Sequence, residues 1–228
     1  MKPVKAYSSG SESLKERLTL SFGLMATIWI LGLLGHLTSL QEWPALLLYV
    51  LGSIGIVLWR GKNNDEWAKM FIAGGYLRKS LLYGGIAGGV LFIMDITNTV
   101  LYYTNGGKPM AGMEFILIHG SFLYLFPLLI LAEEFFWRGI MFSAMIERGF
   151  NKHFTVLLTT VFYSFNHFAV APVSFEERAL MVMMAFPIGI LGGYIVLRTK
   201  NIWGSFLLHL ITMISMVLDI FVIPQLIR

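Results

Sequence analysis

Seven runs of mostly apolar residues follow one another along the chain, at 18–40, 43–59, 81–103, 115–131, 154–170, 180–197 and 202–223. A hydrocarbon core about 30 Å thick is crossed by roughly 20 helical residues. Inside that core every backbone N–H and C=O must be satisfied within the protein, so runs of this length span as helices. The expectation is an all-α, polytopic transmembrane helical bundle of seven spans, or eight if the fourth region divides at Pro127. The fourth run is also expected to continue as helix through a polar patch to Ile146. Composition agrees: 57% of residues are hydrophobic and 13% charged, whereas a soluble domain carries about 25% charged residues. The chain shows no internal repeat, low-complexity tract or linker, so residues 1–228 are read as a single membrane domain.

The charge distribution orients the bundle. With the N-terminus in the cytoplasm and seven crossings, 13 of the 17 lysines and arginines fall on the cytoplasmic side. Lys108, Arg178 and Arg228 fall outside, and Arg138 lies in or at the edge of the membrane. Lysine and arginine concentrate in cytoplasmic loops, so the net charge of +4 and pI near 9.3 are assigned to topology, with no nucleic-acid partner. Residues 1–17 are polar and the first apolar run is long enough to span, so no cleavable signal peptide is expected. The segment 61–79 mixes Trp67, Phe71 and Ile72 with Lys69, Arg78 and Lys79 and reads as a helix lying on the cytoplasmic surface. Gly84, Gly85, Gly88 and Gly89 make two overlapping small-xxx-small pairs, the spacing that lets helices approach closely. The chain has no cysteine, which excludes disulfides, thiolate metal sites and a cysteine nucleophile.

Ionisable groups inside a membrane cost about 2.5–3.5 kcal/mol each and persist when paired or when they line a wet cavity. Three places carry them. Glu133-Glu134-Phe135-Phe136-Trp137-Arg138 ends the fourth run. There Glu134 and Arg138 stand four apart with the acid first, the favourable orientation for a helical ion pair. Glu133 is rotated about 100° away, which leaves one carboxylate neutralised and the other free for proton transfer. His167 follows in Tyr163-Ser164-Phe165-Asn166-His167, and His209 in Ser205-Phe206-Leu207-Leu208-His209. Taken singly, a histidine on an apolar helix is more often a hydrogen-bonded packing residue than a catalyst. His36 and His119 also sit in apolar segments with no motif around them, and His153 lies beside a loop.

The order of these three places resembles the CAAX-protease and bacteriocin-processing (Abi) family of intramembrane glutamate-dependent proteases. Its EExxxR motif is similar to Glu133-Glu134-x-x-x-Arg138. Its FxxxH motif falls on Tyr163 and His167, with tyrosine for phenylalanine. Its HxxxN motif falls on His209, with Met213 where the family has asparagine. The resemblance covers about residues 131–213, within a family-like catalytic core at about 113–223. It implies a helical intramembrane hydrolase in which Glu133 activates a water with help from His167. His209 would stabilise the tetrahedral oxyanion, and Glu134 and Arg138 would hold the motif in shape. A thioether cannot donate a hydrogen bond, and loss of one oxyanion donor typically costs about 10²–10³ in rate. Asn166, Thr212 and Ser215 are the polar neighbours of the gap, with Asn166 and Thr212 the candidate substitutes.

The resemblance implies no metal or other cofactor. Zinc is a minor alternative, since glutamate and histidine are ligand types it accepts, but no HExxH sets two ligands on one helical face. The implied partners are membrane lipid and a peptide, prenylated or lipidated protein substrate, with a membrane-protein partner as a further candidate. A bacterial cytoplasmic membrane is the expected location. Three other readings stand beside the peptidase: an acyl-transfer enzyme using the same Glu and His pair, an inactive relative acting as an immunity or regulatory scaffold, and a small transporter using Asp95, Asn98 and the acids.

Overall fold

The computed structural model describes residues 10–227, and among them every regular element is helical. Residues 1–9, with Lys2 and Lys5, and Arg228 lie outside the described residues. The order is α1 (Gly10–Gly35), α2 (Trp43–Asn64), α3 (Leu77–Thr104), α4 (Ala111–Ile118) and α5 (Phe122–Glu134). A π-helical stretch (Phe135–Phe142) then leads into α6 (Ser143–Glu147), and α7 (Lys152–Val170), α8 (Phe175–Thr199), α9 (Trp203–Phe221) and α10 (Ile223–Ile227) complete the bundle.

Five helices, α1, α2, α3, α8 and α9, are long and apolar enough to cross a bilayer, and the bent pair of α4 with the run from Phe122 to Glu147 makes a sixth if counted as one span. The protein is an integral membrane protein on this ground. The expected seven or eight spans are not reached by this measure. The shortfall is α7, whose buried Thr155, Thr159, Thr160, Ser164 and Asn166 lower its hydropathy. Those side chains point into the bundle, and Thr155 and Thr159 close on carbonyls of their own helix at 2.9 and 2.8 Å. The fourth region does divide, but at 119–121 rather than at Pro127. The helices on either side meet at 92°, and Ser121 turns the corner at φ 58. Pro127 stays inside α5.

The segment 61–79 departs from expectation too. Helix α2 runs on to Asn64 and stops at Asp65 in the left-handed region, after which the chain folds through turns, not a surface helix. Met70 is fully buried, and Trp67, Phe71 and Ile72 pack on the core. Backbone groups here are consumed by the α8–α9 turn: Ile202 N–H donates to the Phe71 carbonyl at 3.0 Å, Tyr76 N–H to that of Thr199 at 2.9 Å, and Asn201 Nδ2 to that of Gly74 at 2.9 Å. The amphipathic pattern reflects insertion into the end of the bundle.

Helices α3 and α9 run parallel in close contact. A Cβ on Gly84 would fall inside van der Waals contact of the Gly204 backbone, and one on Gly88 would meet Ile211 and Leu208. Gly89 faces open space, so one of the two small-residue pairs packs and the other does not. Ser80 fixes the register, accepting from Gly204 N–H at 2.9 Å and donating to the Asn201 carbonyl at 3.0 Å.

Ion pairs fasten both ends. At one, buried Arg60 grips Glu66 with two bonds of 2.7 and 2.8 Å and also holds Glu16. Arg17, equally buried, reaches Glu147 and donates to Ser143 Oγ at 3.0 Å. At the other, Arg178 donates to the Val173 and Phe168 carbonyls at 3.0 and 2.9 Å and pairs with Glu42, locking the α1–α2 turn to the α7–α8 turn. Burial pushes the Glu66 carboxyl up, but hydrogen bonds from Arg60 and Ser13 and the charges of Arg60 and Arg17 outweigh it and leave its pKa lowered.

Two measurements check this account. Thermal unfolding in detergent should show Gly84→Ala destabilised by about 1–3 kcal/mol from overpacking, while Gly89→Ala stays neutral or gains; equal effects would contradict the packing described. Because the folded Glu66 pKa is depressed, its contribution is present above the unfolded carboxylate's pKa and is lost as pH falls through the folded value. Glu66→Gln should therefore cost about 3–5 kcal/mol at neutral pH, the penalty for stranding a buried partner, and should flatten the acid limb of the stability profile.

Candidate active site

The polar patch after α5 sits at the centre of the bundle, not at a solvated helix end. Glu133, Glu134 and Arg138 are 7, 0 and 3% exposed. They lie where the backbone passes from α-helix into the π-helical stretch, a form rare overall and frequent at functional sites. The surrounding residues Phe136, Trp137, Ile140, Met141 and Phe142 are fully buried, so this turn is gripped on every side.

Glu134 and Arg138 form the expected i,i+4 pair, 3.4 Å apart. Glu134 does more than the sequence suggested, since the same Oε1 lies 3.3 Å from His209 Nδ1. A carboxylate only accepts, so this contact places the proton on Nδ1 and orients the ring, as outer partners do for many functional histidines. Arg138 lies over the Tyr163 ring at 4.7 Å and its Nη2 approaches the Ile188 carbonyl at 3.4 Å. Gly192 on α8 leaves that space: a Cβ there would collide with Ser205 Oγ and sit 3.2 Å from Arg138 Nη2.

Glu133 points the other way, towards two imidazoles. Its Oε1 is 4.0 Å from His167 Nε2 and its Oε2 is 3.6 Å from His209 Nε2. His167 Nδ1 donates to the Tyr163 carbonyl one turn back at 3.0 Å. A carbonyl can only accept, so the neutral ring carries its proton on Nδ1 and turns an unprotonated Nε2 to Glu133. A water between the two would meet two acceptors, one for each of its hydrogens.

A cavity of about 80 Å³ opens beside these groups, lined by Glu133, Asn166, His167, His209 and Met213 among apolar neighbours. That volume holds a few waters. Asn166 Oδ1 accepts from Trp29 Nε1 at 3.1 Å. Tryptophan only donates, so the amide oxygen is fixed on Trp29, and among the described residues its NH₂ has no protein acceptor. Thr212 is turned elsewhere: its hydroxyl donates to the His209 carbonyl at 2.8 Å and it lines a different cavity. Ser215 likewise bonds Asp95 and its own helix. Among the described residues no group of three or more histidine, aspartate or glutamate side chains is arranged to hold a metal ion.

Residues 115–214 match the family described as Type II CAAX prenyl endopeptidase Rce1-like. The resemblance read from the motifs is borne out. The matched segment contains Glu133, Glu134, Arg138, Tyr163, His167, His209 and Met213, while α1 to α3 precede it. No curated protein and no solved structure matches the chain.

Two members of the site were not legible in the sequence, and a third, Tyr163, was placed there only as the aromatic of the second motif. The Tyr163 hydroxyl lies 3.2 Å from His209 Nε2, and tyrosine in place of phenylalanine was the signal. Tyr49 of α2, fully buried, accepts from Trp137 Nε1 and so steadies the turn that carries Arg138. Gly192 offers no sequence signal apart from being a glycine in an apolar helix.

Arg138→Met should destabilise the protein by about 3–5 kcal/mol, because it leaves Glu134 charged and buried without its arginine, with His209 alone beside it. The double variant Glu134→Gln with Arg138→Met should recover much of that loss in a thermal-unfolding double-mutant cycle. Additive losses would show that the two residues do not act as a pair.

Proposed function

We propose that this protein is an intramembrane endopeptidase in which Glu133, with His167, activates a water against a peptide bond, without a metal. The observation that carries the reading is the pairing of the Glu133 carboxylate with an unprotonated His167 Nε2 at 4.0 Å, beside a water-sized cavity. Glu133 takes a proton from the water as the oxygen adds to the scissile carbonyl carbon. The developing oxyanion is met by donors, the term that usually contributes most to such catalysis. His209, its Nδ1–H held by Glu134, supplies a second N–H from Nε2 as the doubly protonated imidazolium. Where the family has asparagine this chain has Met213, and the Asn166 amide, held by Trp29, supplies the missing donor in preference to Thr212. Glu133 then passes its proton to the leaving nitrogen as the C–N bond breaks.

The substrate class is a prenylated or otherwise lipidated protein or membrane peptide, consistent with the Rce1-like match and with a site enclosed by apolar helices. Helix α7 is taken as a further crossing, the fifth in chain order, which brings the total to seven, because its neighbours α6 and α8 meet it at opposite ends of the bundle. The basic end with Arg17, Arg60 and Lys152 then faces the cytoplasm, the membrane being a bacterial cytoplasmic one. Met213 favours one alternative, an inactive relative acting as a scaffold.

Replacing Glu133 with Gln in the native host, at unchanged protein level, should remove a set of new protein termini from the membrane proteome. With a substrate so identified, Asn166→Ala should lower kcat about 10²–10³-fold and Thr212→Val should leave it within about threefold. An unchanged proteome with Glu133→Gln would overturn the peptidase reading in favour of the scaffold.

A further inference from the structure

A second and larger cavity, of about 230 Å³, lies between α3, α4, α8 and α9 and has no part in the chemistry above. Its wall is mainly apolar and includes seven methionines, yet Asp95 of α3 and Asp219 of α9 both face it. These two carboxyl groups stand within hydrogen-bonding reach of each other. Asp219 is ten residues beyond His209 on the same helix, about 15 Å along its axis at 1.5 Å per residue.

The pair is underprovided with donors. Ser215 Oγ lies 2.7 Å from Asp95 Oδ2 but also 2.7 Å from the Thr212 carbonyl, and a hydroxyl has one proton to give. Thr99 lines the wall beside Asp219, whose Oδ1 is buried with no hydrogen-bond partner in a residue only 3% exposed. Glu177, the remaining acid on the wall, is occupied by the backbone N–H groups of Met113 and Ser174 at 3.0 Å each. Among the described residues no lysine or arginine lines the cavity. Two facing carboxyl groups in an apolar wall are satisfied either by one shared proton or by a cationic donor.

The wall decides which cation. Hard divalent ions seek six or more oxygens and retain waters, whereas methionine side chains offer flexible apolar contact. The cavity reaches the outer surface of the bundle beside Met94 of α3 and Met183 of α8, 54 and 71% exposed, at bilayer depth. We propose that this cavity binds the primary ammonium group of an amphiphile arriving from the bilayer, with the nitrogen between Asp95 and Asp219 and the alkyl stem along the methionines. An ammonium carries three N–H donors, enough for both carboxylates and the Thr99 hydroxyl. The same chemistry is offered by an amine-bearing lipid and by a lysine side chain of a membrane peptide. This inference does not depend on the peptidase reading.

The test uses the full chain in phosphatidylcholine nanodiscs with octylammonium as probe, and octanol and octyl sulfate as neutral and anionic controls, followed by isothermal calorimetry. Saturable one-to-one binding of octylammonium alone is expected, weakened at least tenfold by Asp219→Asn and by Asp95→Asn in protein shown to keep its thermal transition. Met183→Trp, which narrows the mouth without touching the carboxylates, should slow association and serves if the aspartate variants fail to fold. Displacement of the probe by phosphatidylethanolamine or by a lysine-bearing transmembrane peptide would support the site and assign its source. Equal binding of octanol, binding indifferent to both aspartates and to Met183→Trp, no binding of the probe, or saturable sodium or calcium binding that excludes it would each overturn the proposal.

Discussion

A carboxylate with no exposure to solvent must be given a charge partner, and the centre of this bundle is arranged around that requirement at Glu134. Its partners come from two directions: Arg138 from one turn further along its own segment and His209 from α9. Each partner carries a constraint outwards. Arg138 needs the Tyr163 ring beneath it and the missing side chain of Gly192 beside it, which ties α7 and α8 to the same point. Trp137 needs the Tyr49 hydroxyl, which ties in α2. A single buried charge thereby specifies the mutual placement of five segments. Buried pairs of this sort add little net stability over apolar packing; their contribution here is to specify one arrangement.

That arrangement also separates two adjacent acids. Glu134 is engaged by an arginine and a histidine, while Glu133, one residue earlier, faces two imidazoles and a small cavity. The polar interior of α7 serves the same centre, since it brings Asn166 and His167 to the cavity and carries Tyr163 under Arg138. The cost of burying Thr155, Thr159 and Asn166 is met by carbonyls of the same segment and by Trp29, whereas the Thr160 and Ser164 hydroxyls are buried with no hydrogen-bond partner among the described residues. This is why α7 is the least membrane-like of the long helices by composition while lying against the candidate site.

The two ends of the bundle are fastened by arginines that hold several acceptors each. Arg60 and Arg17 join α1, α2, α6 and the turn at Glu66, and Arg178 joins two turns at the opposite end. Between these fastenings the helices rely on close backbone approach, as at Gly84 and Gly204. The methionines Met113, Met181 and Met216 line both cavities, so the wall between the Glu133 site and the Asp95–Asp219 pair is built from flexible side chains.

Helical class, membrane residence and the choice of Glu133, Glu134, Arg138, His167 and His209 as candidates were readable from the chain alone, because apolar run length and the rarity of charge within such runs are local properties of sequence. The i,i+4 pairing of Glu134 with Arg138 was readable for the same reason. What the chain alone did not reveal depends on residues far apart in sequence. The break at 119–121, the turns at 67–75 that plug the bundle end, and the role of Gly192 follow from neighbours on other helices. So does the contrast between Asn166 and Thr212, which lie on different helices: Trp29 holds the Asn166 amide beside the smaller cavity, whereas the Thr212 hydroxyl turns to the His209 carbonyl. Local hydropathy sets where a chain can lie in a bilayer, whereas the direction of each polar side chain is set by whichever partner the assembled helices bring within hydrogen-bonding distance.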